Sequence, residues 1–147
     1  MHQNVIQPVG YCERGFLTLV TAPRPVLEKT LAGLLLHKSG DALVITCGRA
    51  RDGTFVTAAD GYPDTSVIRV GSQSQVVNGV RICNASLIVV VHDPEIYEND
   101  EEGAARVAAM LREYACLSAN RIVILARPKD AYLDVMWQYA GRYLFIE

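Results

Sequence analysis

A chain of 147 residues with a net charge of −2, half of it hydrophobic and a fifth of it charged, has the size and composition of one ordinary globular domain. That charge gives no general attraction for phosphate backbones or anionic lipid, and Arg106, Arg112, Arg121, Arg127 and Lys129 are interleaved with acids, which argues against a nucleic-acid partner. No apolar run approaches a membrane span and no basic-then-apolar leader opens the chain, while Cys12, Cys47, Cys83 and Cys116 form no C-x-x-C pair, so a cytoplasmic protein with reduced thiols and no membrane contact is expected.

In chain order, the first 15 residues carry no readable pattern, and Gly15 to Val20 form a short apolar run closed by Pro23 and Pro25. Pro25 suits the first turn of a helix, where a missing N–H is harmless. Val26, Leu27, Thr30, Leu31, Leu34 and Leu35 then recur at helical spacing until Ser39-Gly40-Asp41 stops the pattern. Ala42 to Cys47 is a strand, Asp52-Gly53 offers a tight hairpin turn, and Thr54 to Thr57 would return as its partner. Gly61-Tyr62-Pro63-Asp64 is a second turn before a strand at Ser66 to Val70. The segment Ser72 to Cys83 fits either a hairpin about Asn78-Gly79 or a helix with Val76, Val77, Val80 and Cys83 on one face.

The unbroken apolar run Leu87 to Val91 reads as a strand buried on both faces, and it runs directly into His92-Asp93-Pro94. Polar residues just past such a strand sit where α/β sheets hold ligands. Asp100-Glu101-Glu102 opens a helix whose apolar face is Ala104, Val107, Ala108, Leu111, Tyr114 and Ala115. Ile122 to Ala126 is a second buried strand, which makes a βαβ unit of expected right-handed crossover. Asp130 caps a short helix over Ala131 to Tyr139, and Tyr143 to Ile146 is a last strand. The expected fold is a single α/β domain over 1–147, with a mixed sheet flanked by helices: 1–24 add an extension and first strand, and 25–147 form the core.

From about Leu27 onward this order resembles the RadC-like branch of the JAB/MPN metalloprotease fold, whose layering is that of cytidine deaminases. The likeness is carried by Pro63 to Val70 as turn and strand, by Asn84-Ala85-Ser86 opening the apolar strand, and by His92 in the place of the first zinc histidine. Arg142 to Glu147 is similar to the closing aromatic strand. The resemblance implies a helix at Ser72 to Cys83. In that family two histidines and an aspartate hold zinc, a glutamate activates the bound water, and a serine helps stabilise the oxyanion. Here the second histidine is Pro94, which has no donor atom, Glu95-Ile96-Tyr97 replaces the serine stretch, and only Asp60 stands near the glutamate's place.

The expectation that follows is a non-catalytic JAB/RadC-like domain without a cofactor, acting through a protein partner or as a homo-oligomer, with Tyr97 and Trp137 as interface anchors. A rival from enzymology is an atypical hydrolase using His92, Asp93 and Asp60 catalytically, with zinc or manganese on His92, Asp93 and Glu101. A third reading is a small-ligand module in the crevice at the carboxyl ends of Leu87 to Val91 and Ile122 to Ala126. No G-x-G-x-x-G, Walker lysine or G-x-S-x-G occurs, so no nucleotide loop or serine nucleophile is indicated.

Overall fold

The computed structural model describes residues 12, 14–48, 59, 61–118, 120–128 and 130–146. The elements are β1 (Leu17–Thr21), α1 (Arg24–Leu36), β2 (Ala42–Cys47), β3 (Thr65–Val70), α2 (Gln73–Arg81), β4 (Leu87–Val91), a 3-10 turn (Pro94–Tyr97), α3 (Glu101–Ser118), β5 (Arg121–Ala126), α4 (Leu133–Trp137) and β6 (Arg142–Phe145). Among the described residues six strands join one sheet in the order β3-β2-β4-β5-β1-β6. Each of their pairings is parallel: Val89 of β4, for example, faces Val44 of β2 on one side and Val123 of β5 on the other.

The α/β class, the single sheet and the flanking helices agree with the sequence reading; among the described residues the pairing is parallel throughout. β2 lies beside β3 in parallel, where a hairpin partner was expected. The expected return strand Thr54 to Thr57 lies outside the described residues. Parallel neighbours need a long connection, and 17 residues separate Cys47 from Thr65. β2, β4 and β5 are buried at nearly every position, the pattern of strands covered on both faces.

Alternate residues feed two separate cores. On one face Leu27, Leu31, Leu34 and Leu35 of α1 pack over Val20, Val44, Val89 and Val123, with Ala59 of the β2–β3 link joining them. On the other face α2, α3 and α4 bring Val76, Val80, Val107, Leu111 and Met136 over Leu19, Ile45, Ile88 and Ile124. No helix among the described residues is long and apolar enough to cross a membrane.

The ambiguous segment is helical, capped by Ser72, whose hydroxyl accepts from the Gln75 N–H. Gly79 explains why Asn-Gly does not turn here. α2 lies so close to the sheet that a Cβ at Gly79 would come 2.8 Å from Ile68 Cδ1 and 3.6 Å from Ile45 Cδ1. The glycine is thus a close-approach residue and not a turn residue. Gly79→Ala, which gains helix propensity and displaces only the flexible end of Ile68, should stay within about 1 kcal/mol of the parent. Gly79→Val should lose about 1–3 kcal/mol by overpacking, read from chemical denaturation; equal stabilities for the two variants would contradict this packing.

Candidate functional site at the carboxyl end of the sheet

Adjacent parallel strands that send their chains to opposite faces open a crevice at their carboxyl ends. After β2, Ala59 packs on the α1 face, while β4 leads into α3 on the other face. β1 and β5 diverge likewise, into α1 and α4. The first crevice borders the residues that follow β4; the second lies one strand away, beyond β5.

The crevice beside β1 has little to offer an anion. Ala22 and Pro23 alone separate β1 from α1, and Pro23 and Pro25 bring no N–H to a helix start that carries no side-chain cap. The crevice between β2 and β4 is filled by the chain itself. Asp93 donates its backbone N–H to the Cys47 sulfur, and burial pushes that thiol up to about 12. Gly48 has φ +87 and packs on the Asp93 carboxyl group, so that a Cβ there would fall 2.7 Å from Asp93 Cγ. Asp93 Oδ1 also accepts from the Glu95 N–H at 2.9 Å, capping the 3-10 turn that Pro94 begins.

His92 lies two residues beyond Val90 and on the same face, anchored by its N–H to the Leu125 carbonyl at 2.9 Å. Its Nδ1 is 2.5 Å from Asp130 Oδ2, and the two side chains are 1% and 3% exposed. Two acceptors do not approach that closely, so Nδ1 carries the proton and donates it to the carboxylate. Asp130 reaches this position because its other oxygen accepts from the Tyr132 N–H at 2.9 Å, fixing the turn before α4. Tyr97 stacks on the imidazole with centroids 5.4 Å apart, and Tyr132 closes the cluster 5.0 Å from Tyr97. Burial raises the Tyr97 phenol well above its ordinary value. His92 Nε2 is buried and has no hydrogen-bond partner among the described residues.

The expected site residues are therefore only partly brought together. His92 and Asp93 are sequence neighbours with separate tasks: His92 turns to Asp130, and Asp93 caps a turn. Glu101 is exposed in the first turn of α3. Asp60 lies outside the described residues. No group of three or more His, Cys, Asp or Glu side chains able to hold a metal occurs among the described residues. His92, Asp93 and Glu101 thus do not assemble the three-donor set a catalytic zinc needs. Tyr97, expected as an interface anchor, is 3% exposed and belongs to the core. Trp137 is 55% exposed, as an anchor requires.

Asp130 was missed as a partner because nothing local marks it. The acidic loop is mostly solvated: Glu95, Glu98, Glu101 and Glu102 are exposed. Asp100 caps α3, accepting from the Gly103 N–H at 2.8 Å and from Gln73 Nε2 at 3.0 Å. These bonds, the Gln73 one foremost, hold its carboxyl below the usual range. A cleft of about 480 Å³ opens at the opposite, amino end of the sheet, lined by Asp41, Asp64, Thr65, Ile82 and Cys83 among others, far from the His92 cluster.

No family model and no curated protein matches the chain. Solved structures do. The chain is similar to a DnaB-like replicative helicase, described together with its interactions with primase, at a TM-score of 0.58 and 10% identity over 92% of this chain and 47% of that one. The likeness is one of fold, and the chain spans about half the length of that relative.

Two measurements check this site. Asp130→Ala strands a buried imidazole and frees the turn before α4, so it should lose about 3 kcal/mol or more, with Asp130→Asn losing less because it keeps the cap. In thiol titration of the native protein, exposed Cys116 should react first, while Cys12 and Cys47, both buried and pushed up to about 12, react only on unfolding. Early modification of Cys47 would show the β2–β4 crevice to be open.

Proposed function

We propose that this domain acts through protein contacts, without catalysis of its own, using an aromatic surface at the β6 edge of the sheet. The observation that carries this is the cluster of Trp137, Tyr143 and Phe145, which are 55%, 39% and 49% exposed. Tyr143 and Phe145 alternate onto the face of β6 that α4 flanks, and Trp137 meets Tyr143 edge to face at 6.3 Å. On the opposite face Arg142 lies over the Phe16 ring, 5.2 Å from its centroid. Tryptophan, tyrosine and arginine held rigid at a surface are the usual composition of an interface hot spot.

Position supports the same reading. β6 ends the sheet, and its outer edge pairs with no strand among the described residues. A parallel sheet left with an uncovered edge invites another chain. A second copy is the simplest partner, since a two-fold axis beside β6 would pair it antiparallel with itself. The contact role is the one implied by a RadC-like domain lacking its zinc donors, but its support here is the surface and not the family. The buried His92 cluster supports the non-catalytic half, because its unpartnered nitrogen does not face solvent.

Sedimentation across a concentration series should show self-association that Trp137→Glu or Phe145→Glu weakens at least tenfold with the melting temperature unchanged, while His92→Gln leaves it intact. If the parent stays monomeric, a photo-crosslinker at position 137 in cells should join one defined protein. A monomer that yields no such adduct would end the proposal.

A further inference from the structure

Two features of the carboxyl end are not accounted for by a contact surface. The first is His92 Nε2, buried without a hydrogen-bond partner among the described residues while Nδ1 is engaged by Asp130. With Nδ1 turned to Asp130, Nε2 is the ring atom left to engage something else, and it is aimed at nothing among the described residues. Buried acceptors are normally satisfied, and exceptions gather where a ligand belongs. The second is the chain that covers this ring. Glu98 is left-handed at φ 49 and ψ 47, and Asn99 follows at φ 68. Asparagine tolerates that region; glutamate does not, and the bias against it is roughly tenfold.

The strap between them is short and pinned at both ends. At β4, Asp93 caps its first turn. At α3, Asp100 donates its N–H to the Tyr97 carbonyl at 2.8 Å and caps the helix. Ile96 and Tyr97 are the side chains that hold it down, both nearly fully buried. A strap that stores strain at one residue, and is held shut by Ile96 and by a ring stacked on an imidazole, is poised to open.

We infer that Pro94–Asn99 is a lid over a preformed hydrogen-bond acceptor site whose working atom is His92 Nε2. Asp130 is its positioning residue: it fixes the tautomer and the ring's orientation, as a carboxylate does for a histidine that must present its far nitrogen. Lifting Tyr97 uncovers that nitrogen to a small ligand bearing an N–H or O–H donor, at the crevice where parallel sheets place ligands. The inference stands apart from the β6 surface and neither needs nor excludes it.

Diethyl pyrocarbonate reports on this atom directly. The lone pair of a neutral imidazole attacks one carbonyl carbon, the carbethoxyl group stays on nitrogen, and the leaving ethyl carbonate takes up the ring proton and breaks down to ethanol and carbon dioxide. His37, exposed after α1, serves as the reference in the same molecule. By mass spectrometry His92 should be labelled far more slowly than His37, yet faster than global unfolding measured by hydrogen exchange. Glu98→Gly relieves the strain of the closed lid and should slow labelling of His92 by roughly fivefold. Tyr97→Ala should speed it, and long-range ¹H–¹⁵N spectra should show the Nδ1–H tautomer that Asp130→Asn perturbs. Labelling at the rate of His37, labelling only at the rate of global unfolding, or no slowing in Glu98→Gly would each overturn the inference. Because Glu98→Gly stabilises the closed form, the test survives even where Tyr97→Ala fails to fold.

Discussion

Strands β2, β4 and β5 are apolar on both faces, and that constraint governs everything else in the molecule. A strand such as Leu87–Val91 has no side to turn toward water, so helices must cover both sides of the sheet. Covering both sides forces the chain to leave some strands toward α1 and others toward α2, α3 and α4. Divergence of neighbouring strands then opens crevices at their carboxyl ends. The polar residues that end β4 fall in this partly dry space, where each must find a partner within the protein. Cys47 with the Asp93 N–H, and His92 with Asp130, are those partners.

The same constraint explains why the residues that looked like metal ligands are engaged elsewhere. A carboxylate at the end of a buried strand can cap the next turn or face a cation; Asp93 and Asp100 cap. A proline directly after Asp93 starts the 3-10 turn and commits Asp93 to that cap. His92 is left to one carboxylate, Asp130, which arrives from the far side of β5. The resulting dyad orients an imidazole, and no group of three or more metal-capable side chains gathers around it among the described residues.

The strands were legible because burial on both faces leaves an unbroken apolar signature: the expected bounds of β2 and β4, Ala42–Cys47 and Leu87–Val91, are those observed. Their pairing was not legible. Asp52-Gly53 has good hairpin chemistry, but partner choice depends on which strands the helices bring together, and that is not written in four residues. Gly79 could be read as turn or helix until the approach of Ile68 and Ile45 showed why a side chain is absent. At the site, His92 was found from its place after an apolar run. Asp130, distant in sequence, carries only the mark of a helix cap, which it also is. Tyr97 and Trp137 look alike as aromatic residues near helices, and only the tertiary structure buries one and exposes the other.

Buried dyad and exposed aromatic surface both border α4. Asp130 fixes the turn that begins this helix, and the helix is so short that its orientation follows from how it is held at that end. Tyr132 and Met136 anchor it in the core, while Trp137, one residue beyond Met136, turns outward toward Tyr143. The dyad and the aromatic surface thus share one five-residue element, yet each is held by contacts of its own: Asp130 by the imidazole and the Tyr132 N–H, Trp137 by the Tyr143 ring.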